Sequence, residues 1–324
     1  MKAGFIASFA LAAVTTLAAP AWAQSFPAKP VRAVLPYSAG SGPDTVMRLV
    51  GEKLMRSWGQ QLVVENRPGG NGWLAIDAVK RSPADGYTLL QVDDTHMALQ
   101  PQIYSKLPHD MTKDFEPVAP LYRTYFFVVV PVNSEWKTVG DLIAAAKAKP
   151  GTLSYGTWGI GSVGHVGTAM LEAATGAQMS HVPFKEVTQV YSAVANGDVA
   201  WAFGTPATAG PMYRAKKVKF LALAAPKRLA EYADVPTVGE AGGPADFEVK
   251  TWVGLLAPRG TPRPIIERIN ADVAKALAEP DVRERLAVVG FEPYATAPEE
   301  VANAIAAGSR KYAGVVKRAK ISLD

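Results

Sequence analysis

The amino-acid sequence predicts an α/β protein of two lobes, each built on a mostly parallel sheet and joined by two hinge crossings. Three observations carry this. Strand-like and helix-like segments alternate along the chain, as they do where helices cross over parallel strands. Two distant stretches share one grammar of strand, glycine-rich loop and helix. At 324 residues the chain is long enough for two cores.

In the first stretch, Val31 to Leu35 reads as a strand and Pro36 to Asp44 as a glycine-rich loop. The helix that follows places Val46, Leu49, Val50 and Leu54 on one face and ends at Trp58-Gly59, where a left-handed cap belongs. Leu62 to Glu65 is a strand, Asn66 to Gly72 a loop, Trp73 to Arg81 a helix and Tyr87 to Leu90 a third strand. Tyr125 to Val130 reads as a buried strand that opens the second lobe, and Thr138 to Lys147 as a helix.

The second stretch runs from Leu153-Ser154-Tyr155 through Gly156 to His165, with Ser162 as N-cap, into a helix ending at Gly176. Strands near Gln178 to His181, Val199 to Phe203 and Phe220 to Ala224 complete its sheet. Thr251 to Ala257 is a further strand, followed by helices over Pro262 to Leu277, Val282 to Val288 and Pro298 to Lys317. Crossings near Tyr125 and Val249 return the chain to its first lobe, giving lobe 1 as 24–124 plus 250–324 and lobe 2 as 125–249.

The chain opens as an export signal. Met1-Lys2 is followed by an alanine-rich apolar run to Ala19, and Ala21-Trp22-Ala23 is a cleavage pattern, so residues 1–23 are expected to be removed after Ala23. With no cysteine, the exported protein holds together by burial, and a bacterial periplasm fits. The net charge of +5 becomes +4 once Lys2 leaves with a leader that holds no acid. Basic residues are scattered without interleaved aromatics, which excludes a nucleic-acid partner.

Catalytic and cofactor patterns fail in turn. Gly159-x-Gly161-x-x-Gly164 matches a dinucleotide fingerprint, but the next strand does not end in the acid that would hold a ribose. No phosphate-binding P-loop occurs, and Ile160 breaks the G-x-S-x-G pattern around Ser162. His96, His109, His165 and His181 show no metal-binding spacing. No cofactor and no metal are therefore expected. An exported hydrolase using Ser162 and His165 remains as a rival, without an evident third partner. What is left is a chain rich in loop N–H donors, the profile of a binder of anions.

Several ordered motifs resemble one family. They are Pro30-Val31-Arg32, the loop Pro36 to Asp44, Val63 to Gly69, Ala84-Asp85-Gly86-Tyr87-Thr88-Leu89-Leu90, Lys113-Asp114-Phe115, Gly161-Ser162-x-x-His165, His181 to Lys185, Asp234 to Thr237 and Gly254 to Pro258. From Phe26 onwards the chain is similar to the Bug family, the solute-binding proteins of tripartite tricarboxylate transporters.

The resemblance implies a two-lobed, type II-like periplasmic binding protein fold, monomeric and not an enzyme. Its partners would be a small carboxylate and the inner-membrane transporter subunits, or, in a sensing role, a receptor. Carried over by position, the carboxylate contacts fall to Tyr37, Ser38, Ala39 and Gly40 in lobe 1. In lobe 2 they fall to Thr157, Gly159, Gly161, Ser162 and His165, while Asp44 fixes the first loop and helix start.

Departures from the family pattern bear on the ligand. Asp93 and Asp94 stand where small hydroxyl residues are usual, and Thr205 where an acid or asparagine is. Facing the cleft, Asp93 or Asp94 would accept bonds from an ammonium or hydroxyl. Tyr37, Trp73 and Trp158 are bulky rings in three loops; they could stack on a flat ligand, shrink the pocket for a short one, or simply pack the loops. The expected ligand is thus a monocarboxylate or aromatic carboxylate with a polar or cationic second group, an aliphatic dicarboxylate being the near alternative.

Overall fold

The computed structural model describes residues 26–319, so the export signal and its cleavage after Ala23 lie outside the described residues. Ten strands form one curled sheet. The first unit is β1 (Val31–Leu35), α1 (Gly42–Trp58), β2 (Leu62–Asn66), α2 (Trp73–Lys80) and β3 (Thr88–Asp93). Ser41 caps α1 through its side chain, and Gly59 closes it in the left-handed conformation at φ 64°. Val46, Leu49, Val50 and Leu54 face the first core, with Leu35, Leu89 and Leu255. A π-helical turn (Thr95–Leu99) and α3 (Gln100–Ile103) follow β3, in a stretch to which the sequence reading assigns no element.

The central strand is the main difference from expectation. β4 runs unbroken from Phe115 to Pro131, beginning ten residues before the expected Tyr125. Pro117 and Pro120 disguise it, since proline cannot donate to a ladder. The strand accommodates them at register shifts between Pro117 and Ala119 and between Pro120 and Tyr122, where it pairs with β9 (Lys250–Pro258).

After β4 come α4 (Val139–Ala148), β5 (Ser154–Thr157), α5 (Val163–Thr175), β6 (Ser180–Pro183), α6 (Val187–Asn196), β7 (Trp201–Gly204), α7 (Pro206–Arg214) and β8 (Val218–Ala224). Beyond β9 lie α8 (Arg263–Ala278), α9 (Pro280–Val288), β10 (Phe291–Pro293) and α10 (Pro298–Ala319). The strand order is β2-β1-β3-β9-β4-β7-β5-β6, with β8 and β10 also on β4.

The sheet is mixed. Its two wings are parallel, β2-β1-β3 on one side and β7-β5-β6 on the other. The centre is antiparallel, because β4 and β9 each carry the chain between wings in opposite directions. β4 and β9 part company at the Tyr125–Lys250 pair, and β4 continues into the second wing with β7 and β8. Separate cores lie on each side of that point, around Met47 and Leu255 in one case and Trp201 and Leu221 in the other. α10 bridges them, since Tyr312 and Val315 share an apolar cluster with Val166 of α5 and Leu99 and Ile103.

Candidate functional site

The loop after β1 is held from below by a buried carboxylate. Asp44 accepts from the Gly40 amide at 2.8 Å, from Asn66 Nδ2 at 2.9 Å and from Arg48, whose Nη2 lies 2.9 Å from Oδ1. Burial pushes this carboxyl up, but the bonds from Arg48, Gly40 and Asn66 outweigh it and hold it below the usual carboxylate range. Asn66 Nδ2 also reaches Tyr37 O at 3.0 Å. The Gly40 amide is thereby committed within the protein. The amides of Tyr37, Ser38 and Ala39 find no protein acceptor among the described residues.

The loop after β5 is built differently. Gly159 and Gly161 take φ values of 124° and 77°, open to glycine and strained for other residues. Ser162 caps α5 by accepting from the His165 amide at 3.4 Å. The Gly161 amide donates to His165 Nδ1 at 3.1 Å, and that of Gly159 to Thr157 Oγ1 at 3.3 Å. An Nδ1 that accepts leaves the ring proton on Nε2, so neutral His165 presents a donor. Its ring stacks on His181 at 4.4 Å between centroids, and burial, then the neighbouring His181, lowers its pKa to about 4. Thr157 is fully buried, with Oγ1 2.6 Å from His181 Nε2. The Trp158 and Ile160 amides find no protein acceptor among the described residues.

Four of the expected ligand contacts have their side chains engaged elsewhere. Asp94 is buried between Thr251 Oγ1 and Tyr312 Oη, which both donate to it. Burial and the nearby Asp93 raise its pKa to about 7. Asp93 turns into its own turn, accepting from the Thr95 amide at 3.1 Å, Thr95 Oγ1 at 2.5 Å, the His96 amide at 3.2 Å and His96 Nδ1 at 2.6 Å. Although burial opposes ionisation, His96 and these bonds bring its pKa down to about 2. Thr205 caps α7 by accepting from the Thr208 amide at 3.3 Å. Trp73 donates through Nε1 to Gln100 Oε1 at 3.1 Å and packs edge-on against Tyr104.

The other two rings are also placed by packing. Trp158 stacks on Phe126 at 6.0 Å. Tyr37 meets His96 edge-on at 5.9 Å, and its hydroxyl is buried. Loop packing thus positions each ring, and each stays partly exposed.

The loop after β1 nevertheless meets the helix starts of the second wing. Ser38 Oγ donates to Glu186 Oε2 at 3.1 Å, linking the loop after β1 to the N-cap of α6. A Cβ added at Gly42 would stand 3.5 Å from Ala207, so the starts of α1 and α7 adjoin. Thr95 and Val163, the latter at the start of α5, line one small space of about 10 Å³ together with Val249 and Tyr312, room for about one water at most. The N-termini of α1, α5, α6 and α7 thus converge, each bringing a partial positive charge. A larger groove of about 600 Å³, lined by Arg32, Arg67, Leu74, Asp77, Ala78 and Arg81, includes none of these loop residues.

Sequence reasoning missed Glu186 and His96. Glu186 had a legible signal, an acid followed three residues later by Gln189 at the head of an apolar-periodic helix. His96 had none, because its place depends on Asp93 turning inward.

Residues 46–321 match the model of the tripartite tricarboxylate transporter family receptor. The chain belongs to that family. This tricarboxylate-receptor family is one of solute-binding proteins, and several relatives cover more than nine-tenths of the chain. BugT of Bordetella pertussis is 29% identical over 306 residues, covering 94% of each protein. Among solved structures, R. palustris Rpa4515 with adipate superposes with a TM-score of 0.86 at 31% identity, covering 92% of this chain and 99% of that one. MatC from Rhodopseudomonas palustris with bound malate gives 0.81 at 31% identity, covering 90% of this chain and 100% of that one. No helix among the described residues is long and apolar enough to cross a membrane.

Proposed function

We propose that this protein works in the periplasm, where it captures a small aliphatic carboxylate between two lobes and hands it to the membrane subunits of a tripartite transporter. The lobes are 24–124 with 250–324 and 125–249, hinged where β4 and β9 separate at Tyr125 and Lys250. The observation that carries this is the convergence of four helix N-termini on loops whose Tyr37, Ser38, Ala39, Trp158 and Ile160 amides lack protein acceptors among the described residues. His165 Nε2–H adds a side-chain donor. Adipate and malate in related structures support an aliphatic acid.

A hydrolytic role has little support. Ser162 Oγ faces the His165 amide and His165 Nδ1 faces the Gly161 amide, so the ring is not oriented as a base for the serine. The same geometry suits binding without turnover.

The test is a thermal-shift screen of protein unfolded and refolded to remove any resident ligand. Aliphatic mono-, di- and tricarboxylates are set beside benzene and pyridine carboxylates. A ligand at 100 times its Kd stabilises by about 2.7 kcal/mol. A selective shift with aliphatic acids is expected, and no shift with any acid would remove the binding assignment.

A further inference from the structure

We propose that the turn after α7 is a membrane-docking patch, by which the protein rests on an anionic phospholipid surface. Arg214 ends α7, and Lys216 and Lys217 lead the chain into β8. All three are exposed, and none forms an ion pair among the described residues. Two apolar side chains share the turn. Val132 donates its amide to Lys217 O at 3.0 Å and is 48% exposed. Tyr213 stacks on Phe220 and is 36% exposed. The segments packed on the turn bring two acids, Glu135 beside the Ser134 carbonyl that Lys219 holds and Glu231 beside Tyr232. Neither pairs with these cations among the described residues.

A cation in the last turn of a helix complements its dipole, which accounts for Arg214. Lys216 needs another account. α1, α5 and α6 end on left-handed glycines, Gly59, Gly176 and Gly197. After α7 it is Lys216 that turns left-handed, at φ 54°, a conformation costly for any residue with a side chain. Its amide and that of Lys217 close the turn on Tyr213 O and Met212 O, at 2.9 Å each, a closure glycine makes without that cost. The chain therefore keeps a long cation at the tip of this turn against its backbone preference. Adjacent lysines beside an exposed tyrosine and valine suit phosphate headgroups lying over hydrocarbon. The nine residues of α7 span about 13 Å, and its other end joins the converging N-termini, so docking leaves the cleft open to solvent. The proposal rests on the periplasmic location given above, beside an inner membrane, and not on which acid is bound.

Vesicle flotation tests it, with protein recovered from the periplasmic fraction of expressing cells. Vesicles of mixed phosphatidylglycerol and phosphatidylcholine are set beside phosphatidylcholine alone, at low and high salt. Wild type should float with the anionic vesicles at low salt, release at high salt and ignore the neutral ones. Lys217→Gln should weaken binding about fivefold, and the triple variant Arg214→Gln, Lys216→Gly, Lys217→Gln on the order of a hundredfold. Lys216→Gly alone separates the surface from the fold: it should bind vesicles less yet resist urea better, because glycine relieves the turn. If wild type ignores anionic vesicles, the proposal is overturned and an acidic protein partner becomes the occupant to seek. If the triple variant floats as wild type does, it is overturned too, and any membrane contact lies elsewhere. Solute binding is read separately. The triple variant should shift with the same acids as wild type, and a silent screen beside intact flotation would remove the carboxylate reading while this one stands.

Discussion

Tyr312 Oη donates to Asp94 Oδ2 at 2.8 Å, joining the residue after β3 to a helix 218 positions later. Thr251, one residue past the point where β4 and β9 separate, donates to the other oxygen. The three residues pin α10 against the base of the hinge. Because Asp94 is buried beside Asp93, its carboxyl holds a proton up to about pH 7 in the folded protein.

This fixes the sign of a pH effect. A carboxyl raised from its ordinary value to about 7 binds more protons folded than unfolded between those limits, so its contribution is full at low pH and is lost as pH rises through 7. The whole span is worth up to about 4 kcal/mol at 1.36 kcal/mol per pKa unit. His165, lowered to about 4, acts oppositely: its stability is present above its ordinary pKa and lost as pH falls through 4. The wild-type profile therefore mixes the two. In urea denaturation, Asp94→Asn should gain on wild type steadily from pH 4 to 7 and level off beyond. A constant difference would show that Asp94 is ionised throughout.

Asp44→Ala should cost on the order of 2–3 kcal/mol in urea denaturation, below the 3–5 of fully buried pairs because Arg48 is half exposed. It frees the Gly40 amide and Asn66, so the loop after β1 loses its anchor. Affinity for whichever acid binds should fall with it. Asp44→Asn, which still accepts from Gly40, should restore part of both.

Gly72 has φ 88°, and a Cβ there would lie 2.5 Å from His96 Cδ2 and Nε2. Gly72→Ala should push His96 off Asp93 and cost about 2–3 kcal/mol, of which roughly 1–2 is the backbone penalty. Combined with His96→Ala, the added methyl has room, and only that backbone cost should remain. A double-mutant cycle on unfolding free energies measures the coupling. Additive values would mean that Gly72 and His96 do not touch.

Local signals were legible wherever neighbours in sequence are neighbours in space. Ser162 as the cap of α5, Gly59 and Gly176 as left-handed ends, and both glycine loops follow from a few adjacent residues. The direction of Asp93 and Asp94 was not legible, since one depends on a π-helical turn and the other on Tyr312. The early start of β4 was hidden for a related reason. Pro117 and Pro120 read as breaks until β9 supplies the bulges that absorb them.

Aromatic rings in loops carry the same ambiguity, and it yields the last prediction. Trp73 is placed by Gln100 and Tyr104, and Trp158 by Phe126, so their energy is already spent in packing. Trp73→Phe should lose a hydrogen bond worth about 1 kcal/mol of stability. Trp158→Phe should lose part of a stacked pair worth about 0.5–1.5 kcal/mol. Neither change should reorder the acids in a thermal-shift screen, because neither ring is expected to lie on the solute. Aromatic carboxylates should bind no better than aliphatic ones of similar size in wild type or variants. A selective loss of benzene or pyridine carboxylate binding in either variant would return that ring to the cleft and revive a flat ligand.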